Sequence, residues 1–459
     1  MNPFIFRKDD IRGIVGSDWS YNDALEIGKA WGTWLRKHNV KQCLLGRDNR
    51  LTSEKIAQNI ASGMVETGID VVDFGLATTP MIYWSRYRFG FGKVGSVEIT
   101  GSHNPPEYNG LKPCFNDATT ITGDDIQELR RTLDKRSYIV GEGSLKKADI
   151  SLEYLADIKA SLLKVDLKPI RKLKVVMDSG NALGGYFAAP LYRDLGHEVI
   201  EIHSRLDGTF PNHIPDPSVG FNLMELLEKV RTNKADIGIS YDGDVDRLNV
   251  IDETGYVVWA DGILALLSRY FLKLSKNEPI LYNTQCSPGL EEDIIANGGK
   301  PVCVPTGHAI VSDYLKRYQG KLAGEYKGHI YIADHYYGFD DAIYAGARVL
   351  QLLAASDLPL SKLLGGVPFY KATGEIAIPT SDEQKFVTMK KLAEFFKDKY
   401  FVADYEGDLR IKFGADLTDT WGMIRKSDTM PKLEVYVWSK TDENLTAARD
   451  IMVEQVNKY

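Results

Sequence analysis

The stretch LKVVMDSGNALGGYFAAPLYRDLGHEVIEIH, Leu173 to His203, decides the fold. An apolar run ends at Asp178, a glycine- and asparagine-containing turn follows, apolar residues then recur at helical spacing, and a second strand-like run closes at His203. Strand, helix and strand make one β-α-β unit. Working outward, the same rhythm precedes it, where CLLGRD, VVDFG and GSVEIT read as short buried strands around the helical SEKIAQNIASGMVETG. It returns after it in DGILALLSRYF, PILYNT, GLEEDIIANGG and KPVCVP. Three consecutive α/β units with mixed sheets are therefore expected. Beyond Gly366 the pattern changes to GEIAIP, DLRIKF, MIRKSD and LEVYVW between two helical segments, which predicts a C-terminal α+β unit with an antiparallel sheet. Exposed joints are expected near 150, 254 and 367, dividing the chain into 1–150, 151–253, 254–366 and 367–459.

The 459 residues exceed what one hydrophobic core supports, and length alone predicts about three or four domains. With 44% hydrophobic and 26% charged residues the composition is globular. A net charge of -7 leaves no basic footprint and argues against nucleic acid as a main partner. Cys43, Cys114, Cys286 and Cys303 show no metal-binding spacing and read as buried free thiols in a reducing compartment. MNPFIFRKDD lacks the apolar core of a signal peptide, and the longest apolar stretch is broken by Ser268 and Arg269. A cytoplasmic chain that does not span a membrane is the expectation.

Two loops carry most of the chemistry. In EITGSHNPPEYNGLK, Ser102, His103 and Asn104 sit against Gly101, Pro105 and Pro106. The prolines cannot donate ladder hydrogen bonds and bias Asn104 away from helix, so the segment is a rigid turn that presents side chains. In ADIGISYDGDVDRLNVID a buried strand runs into Asp242, Asp244 and Asp246, and Arg247 precedes a second strand. Carboxylates at every second position of extended backbone share one side and repel unless a cation lies between them, and hard oxygen ligands select Mg²⁺ or Ca²⁺. An EF-hand is rejected, because Arg247 stands where that loop needs glycine and strands flank it. The same aspartates admit a haloacid-dehalogenase-type phosphatase, with Asp242 as nucleophile and Asp340 and Asp341 of GFDDA holding the metal.

Three further segments read as binding loops. His308 follows Gly307 at an expected helix start, and Glu325, Lys327 and His329 line the glycine-bounded GEYKGH, suited to hydroxyl binding and proton handling. RKSDTMPKLEV brings Arg425, Ser427 and Thr429 before a strand, where a guanidinium fork and hydroxyls can form a phosphate nest.

Taken in order, FRKDDIRG, GRDNR, TTP, TGSHNP, DGTFPNHIPDP, YDGDVDR, TGH, GEYKGH and RKSDT resemble the α-D-phosphohexomutase family, closest to its bacterial phosphomannomutase/phosphoglucomutase branch. The resemblance implies three α/β domains and one α+β domain around a central cleft, and the interconversion of hexose 1- and 6-phosphates through phosphorylated Ser102 and a hexose 1,6-bisphosphate. It implies Mg²⁺ on Asp242, Asp244, Asp246 and the Ser102 phosphoryl oxygen, with Arg12, Lys112 and Arg247 supplying positive charge. It further implies that His103 supports the serine loop and that His308 or His329 manages the sugar proton. Glu325, with Lys327 in the same loop, would hold the sugar, and Arg425, Ser427 and Thr429 the phosphate that is not reacting. Lys327, Asp428 and Pro305 stand where the branch usually carries serine, asparagine and lysine. Small-molecule hexose phosphates are the expected partners. A phosphoglucosamine mutase, a sugar-phosphate phosphatase and a silent sugar-phosphate binder are the competing readings.

Overall fold

The structure is a computed structural model that describes residues 1–115, 120–381, 383–427 and 431–459. Two compact units are resolved, one of residues 1–263 with 327–363, the other of 264–326 with 364–459.

The first unit contains two sheets. Strands β1 (Ile11–Ile14), β2 (Gln42–Arg47), β3 (Asp70–Leu76), β4 (Gly95–Ile99), β5 (Tyr108–Cys114) and β6 (Leu145–Lys147) lie in the order β1-β5-β4-β2-β3-β6. β2 pairs in parallel with β3 and β4, whereas β5 is antiparallel to both β4 and β1. Helix Tyr21–Lys37 begins with Ser20 and Asp23 each capping the other's backbone, and its Trp31 and Leu35 join Ile56, Ile60 and Met64 of the next helix in the core. Fully burying each of these large apolar side chains contributes about 1.5–3 kcal/mol.

The second sheet repeats the plan. Strands β7 (Lys174–Asp178), β8 (Glu198–Ile202), β9 (Ile237–Tyr241), β10 (Leu248–Asp252) and β11 (Val257–Val258) are ordered β11-β10-β9-β7-β8. Parallel β8-β7-β9 are followed by antiparallel β10 and β11. The opening sequence stretch is thus β7, the helix Gly184–Asp194 and β8, and parallel pairing of its strands follows from the helical crossover. Helix Ala342–Ala354 is capped by Asp341, whose side chain accepts from the Tyr344 amide, and packs against helices Ser151–Leu163 and Gly184–Asp194.

In the second unit, strand Pro279–Asn283 pairs in parallel with Lys300–Val304 and with Leu322–Gly324. The C-terminal sheet is antiparallel throughout its described pairings, and helices Gln384–Lys399 and Asp442–Lys458 bury Leu392, Phe396, Ala448 and Met452 against Ile411, Ile424, Val435 and Val437. Three α/β layers and an antiparallel α+β layer are the architecture that the strand and helix periodicities predict. None of the four cysteines is in a disulfide, and Cys303 is only half-buried, because its strand Lys300–Val304 is partly exposed along most of its length. No helix among the described residues is long and apolar enough to cross a membrane.

Candidate functional site

The Ser102 loop joins antiparallel β4 to β5. Ser102 adopts φ 49°, a left-handed conformation that costs a non-glycine residue roughly 1–2 kcal/mol. Arg50 fixes it there. Its guanidinium donates to the carbonyls of Ser102 (2.7 Å), Asn104 (2.7 Å), Pro105 (2.5 Å) and Tyr108 (3.0 Å), while its Nε donates to Asp48 (3.1 Å). Asp48 in turn accepts from the Thr100 hydroxyl at 2.8 Å and the Gly101 amide at 3.2 Å. Both residues of this clamp are buried. Arg12 donates to Asn104 at 2.9 Å and pairs with Asp10 at 2.6 Å.

The Asp242–Asp246 segment joins antiparallel β9 to β10. Its backbone is a turn, not the extended chain expected from the alternating aspartates. Val245 lies at φ 62°, a genuine outlier for a β-branched residue, and this twist brings the carboxylates together. Asp242 Oδ1 accepts from the amides of Asp246 and Arg247, both at 3.1 Å, so the loop is closed by its own first carboxylate. Asp242 Oδ2 accepts from the Ser102 hydroxyl at 3.1 Å, and that hydroxyl lies 3.1 Å from His103 Nδ1. A Cβ on Gly243 would stand 2.5 Å from the Ser102 carbonyl oxygen, so only glycine permits this approach.

Lys112 Nζ donates to Asp244 (2.7 Å) and Asp246 (2.6 Å), and the Thr79 hydroxyl donates to Asp244 at 2.6 Å. Burial raises Asp242 well above the usual carboxylate range, helped by Asp246 and Asp244. Burial opposes ionisation of Asp246 too, but Lys112, with His329 and Arg247, holds it well below that range. The same burial, with the cations Arg247, Arg12 and Lys327, depresses His103, so its imidazole is neutral at ordinary pH. Asp242, Asp244 and Asp246 each offer an oxygen within 4.8 Å of the others, and the buried Asp244 Oδ1 accepts no hydrogen bond. An all-carboxylate set with a bare buried oxygen fits a hard divalent cation.

Arg247 Nε donates to His329 Nε2 at 3.0 Å, and that nitrogen is 3.4 Å from Asp246 and 3.7 Å from Asp340. The first unit therefore gathers Ser102, His103, Lys112, Arg12, Arg247, His329 and the three aspartates. Lys327 also belongs to it, whereas Glu325 belongs to the second unit, so the GEYKGH segment is shared between the two. Glu325 is buried, accepting from the Gly307 amide at 3.0 Å and from Asn283 at 3.4 Å, and His308 opens the helix His308–Arg317. Arg425 pairs with Glu434 at 2.9 Å and lies 3.5 Å from Asp408, which also accepts from the Thr284 hydroxyl at 2.9 Å. Ser427 donates its amide to the Lys432 carbonyl and accepts from Lys385 at 2.9 Å through its own carbonyl. Asp428 and Thr429 lie outside the described residues.

The phosphatase reading loses its metal ligand Asp341. That carboxylate accepts from the Tyr154 and Tyr336 hydroxyls at 2.8 and 2.6 Å and caps a helix. Sequence reasoning missed Arg50, Asp48 and Thr79. GRDNR and TTP were the available signals, but a clamp on carbonyls far along the chain has no local pattern.

Three descriptions match in chain order: Phosphoglucomutase/phosphomannomutase alpha/beta/alpha domain I over residues 3–139, domain II over 152–255 and domain III over 259–369. The chain belongs to the phosphoglucomutase/phosphomannomutase family. It is accordingly an enzyme. The Phosphomannomutase/phosphoglucomutase of Pseudomonas putida is 35% identical over 455 residues, covering 98% of this chain and 95% of that one. The Phosphoglucomutase of Neisseria meningitidis serogroup A is 36% identical, with 94% and 91% covered. A crystal structure of a phosphoglucomutase/phosphomannomutase family protein from Burkholderia thailandensis superposes with a TM-score of 0.89 at 32% identity, over 99% of this chain and 97% of that one.

Proposed function

We propose that this enzyme interconverts the 1- and 6-phosphates of mannose and glucose through a phosphoserine at Ser102 and a hexose 1,6-bisphosphate. The observation that carries this reading is the buried Ser102 hydroxyl, held on Asp242, the first of three converging carboxylates. The names of the relatives, which join mannose and glucose, support the choice of sugars.

Phosphorylated Ser102 gives its phosphoryl group to the free hydroxyl of the hexose phosphate. The Oγ–P bond breaks, a sugar O–P bond forms, the hydroxyl proton passes to a base, His329 or His308, and the departing Ser102 Oγ regains a proton as its hydroxyl. The bisphosphate turns over and returns its other phosphate to Ser102. Asp242, Asp244 and Asp246, with the Ser102 phosphoryl oxygen, would hold Mg²⁺, which would supply positive charge to the transferring phosphoryl group. Arg12, Arg247 and Lys112 add fixed cations. His103 stays neutral beside the serine and keeps its loop. Arg50 holds Ser102 in line, where small misplacement costs rate steeply. Glu325 accepts sugar hydroxyls in a loop shared with Lys327, and Arg425, Ser427 and Thr429 bind the phosphate that is not reacting.

Phosphorus NMR tests this directly, with Mg²⁺, a trace of glucose 1,6-bisphosphate, and glucose, mannose or, for comparison, glucosamine 1-phosphate in separate tubes. The 6-phosphate is expected from glucose and mannose 1-phosphate. Inorganic phosphate alone would sink the reading, and conversion of glucosamine 1-phosphate only would move the sugar to the amino series.

A further inference from the structure

We propose that Asp178, His203 and His213 form a second cation site, suited to a borderline divalent ion such as Zn²⁺ and chemically distinct from the carboxylate triad.

Asp178 ends β7 and His203 follows the last residue of β8, and these parallel strands pair with Asp178 opposite Ile202. Both side chains thus leave the carboxyl edge of the sheet, where α/β folds collect ligands. His213 comes to them from the DGTFPNHIPDP loop. The three residues each offer a ligand atom, and these atoms lie within 4.8 Å of one another.

The hydrogen bonding of His213 identifies what is missing between them. Its Nδ1 lies 2.9 Å from the Ile214 carbonyl oxygen, which only accepts, so Nδ1 carries the proton. In the neutral ring Nε2 is then a lone pair. It faces Asp178 Oδ2 at 3.1 Å, a second lone pair on a fully buried carboxylate whose other oxygen already accepts from the Gly180 amide. Two acceptors at that distance repel unless a proton or a cation lies between them: burial opposes a charged His213, but Asp178 and the Ile214 carbonyl outweigh it and raise it above the ordinary histidine value, so a shared proton fills the gap until an ion displaces it. An Nδ1–H fixed on a backbone carbonyl is also the usual way a protein orients a metal-ligating histidine.

The second imidazole favours the metal over the proton. His203 takes the left-handed φ 48°, its ring centroid is 5.3 Å from that of His213, and its Nε2 is 3.1 Å from Glu225. Two imidazoles and a carboxylate are borderline donors, with solvent available for the fourth position and Glu225 orienting His203 from outside. Ligand atoms in a tetrahedral zinc site stand about 3.3 Å apart, close to the 3.1 Å between His213 Nε2 and Asp178 Oδ2, with His203 within 4.8 Å of both.

An ion here would secure the loop that backs the serine clamp. Phe210 lies 4.9 Å from the Arg50 guanidinium, Asn49 donates to the Asn181 carbonyl at 2.9 Å, and a Cβ on Gly208 would stand 2.5 Å from the Asn49 carbonyl oxygen.

The test is Co²⁺ titration of the chelator-stripped protein in excess Mg²⁺, read by visible absorption. One Co²⁺ with the strong absorption of a tetrahedral site is expected, displaced by Zn²⁺ and retained in Asp242→Asn. His203→Gln and, as a second variant, His213→Gln should each abolish the band in folded protein, and Glu225→Gln should weaken Co²⁺ binding about tenfold. Absence of the band at stoichiometric Co²⁺, or its persistence in both histidine variants, would overturn the site and leave a shared proton between these groups.

Discussion

The Ser102 and Asp242 loops occupy the same place in two sheets of the same plan. Each follows the third parallel strand and leads into the antiparallel one. Each also contains a buried residue held at positive φ, Ser102 in one and Val245 in the other. They differ in what holds the strain. The Ser102 loop is gripped from outside by Arg50 and Asp48, whereas the aspartate loop is closed from within by Asp242. The lesson is one of separable tasks: the proposed nucleophile, whose hydroxyl is its reactive group, is held through its backbone by a distant clamp, while a carboxylate with two oxygens closes its loop with one and presents the other.

The strongest way to break the comparison is to remove the proposed nucleophile. Ser102→Ala should lower mutase turnover by about 10⁴-fold or more in the phosphorus NMR assay, with no phosphopeptide at that position. Chelation of Mg²⁺ should also abolish turnover, yet leave the melting temperature nearly unchanged, because Lys112 already bridges Asp244 and Asp246. A large drop in melting temperature on chelation would show that the aspartate loop is not self-sufficient. Arg50→Ala should cost about 10²-fold in kcat and, by stranding buried Asp48, about 3–5 kcal/mol in denaturant unfolding. An unaffected kcat would end the idea of an external clamp.

Val245→Gly sharpens the contrast at a smaller scale. It relieves roughly 1–3 kcal/mol of backbone strain but gives up the burial of one valine, so net stability should move by no more than about 1 kcal/mol, with Mg²⁺ affinity falling as the loop loosens. Outside both loops, Asp341 provides a pH control. Burial, opposed by Tyr336 and Tyr154, raises it to about 6. Its stabilising contribution is present below the unfolded value of 3.8 and is lost as pH rises through about 6. Melting curves of the wild type, compared with Asp341→Asn, should show that loss across this range.

Much of the chemistry was legible because it is local. TGSHNP and DGDVDR each put the proposed nucleophile or ligands within a few residues, and the strand-flanked position of the aspartate loop followed from the apolar runs on either side of it. The reason given for the aspartates needed revision, since Val245 turns the chain where alternation alone suggested extended backbone. The clamp was not legible. Arg50 acts on carbonyls some 50 residues away, and carbonyls carry no side-chain signature.

By itself the sequence determined the elements and their order, because periods of two and 3.6 with glycine and proline punctuation are properties of neighbouring residues. It also determined which side chains could do chemistry. Only the tertiary structure decided which of them meet: Lys112 between two aspartates, Arg50 under the serine loop, and His213 against Asp178. Those contacts depend on sheet order and register, which bring together residues tens to more than a hundred positions apart and which no local pattern encodes.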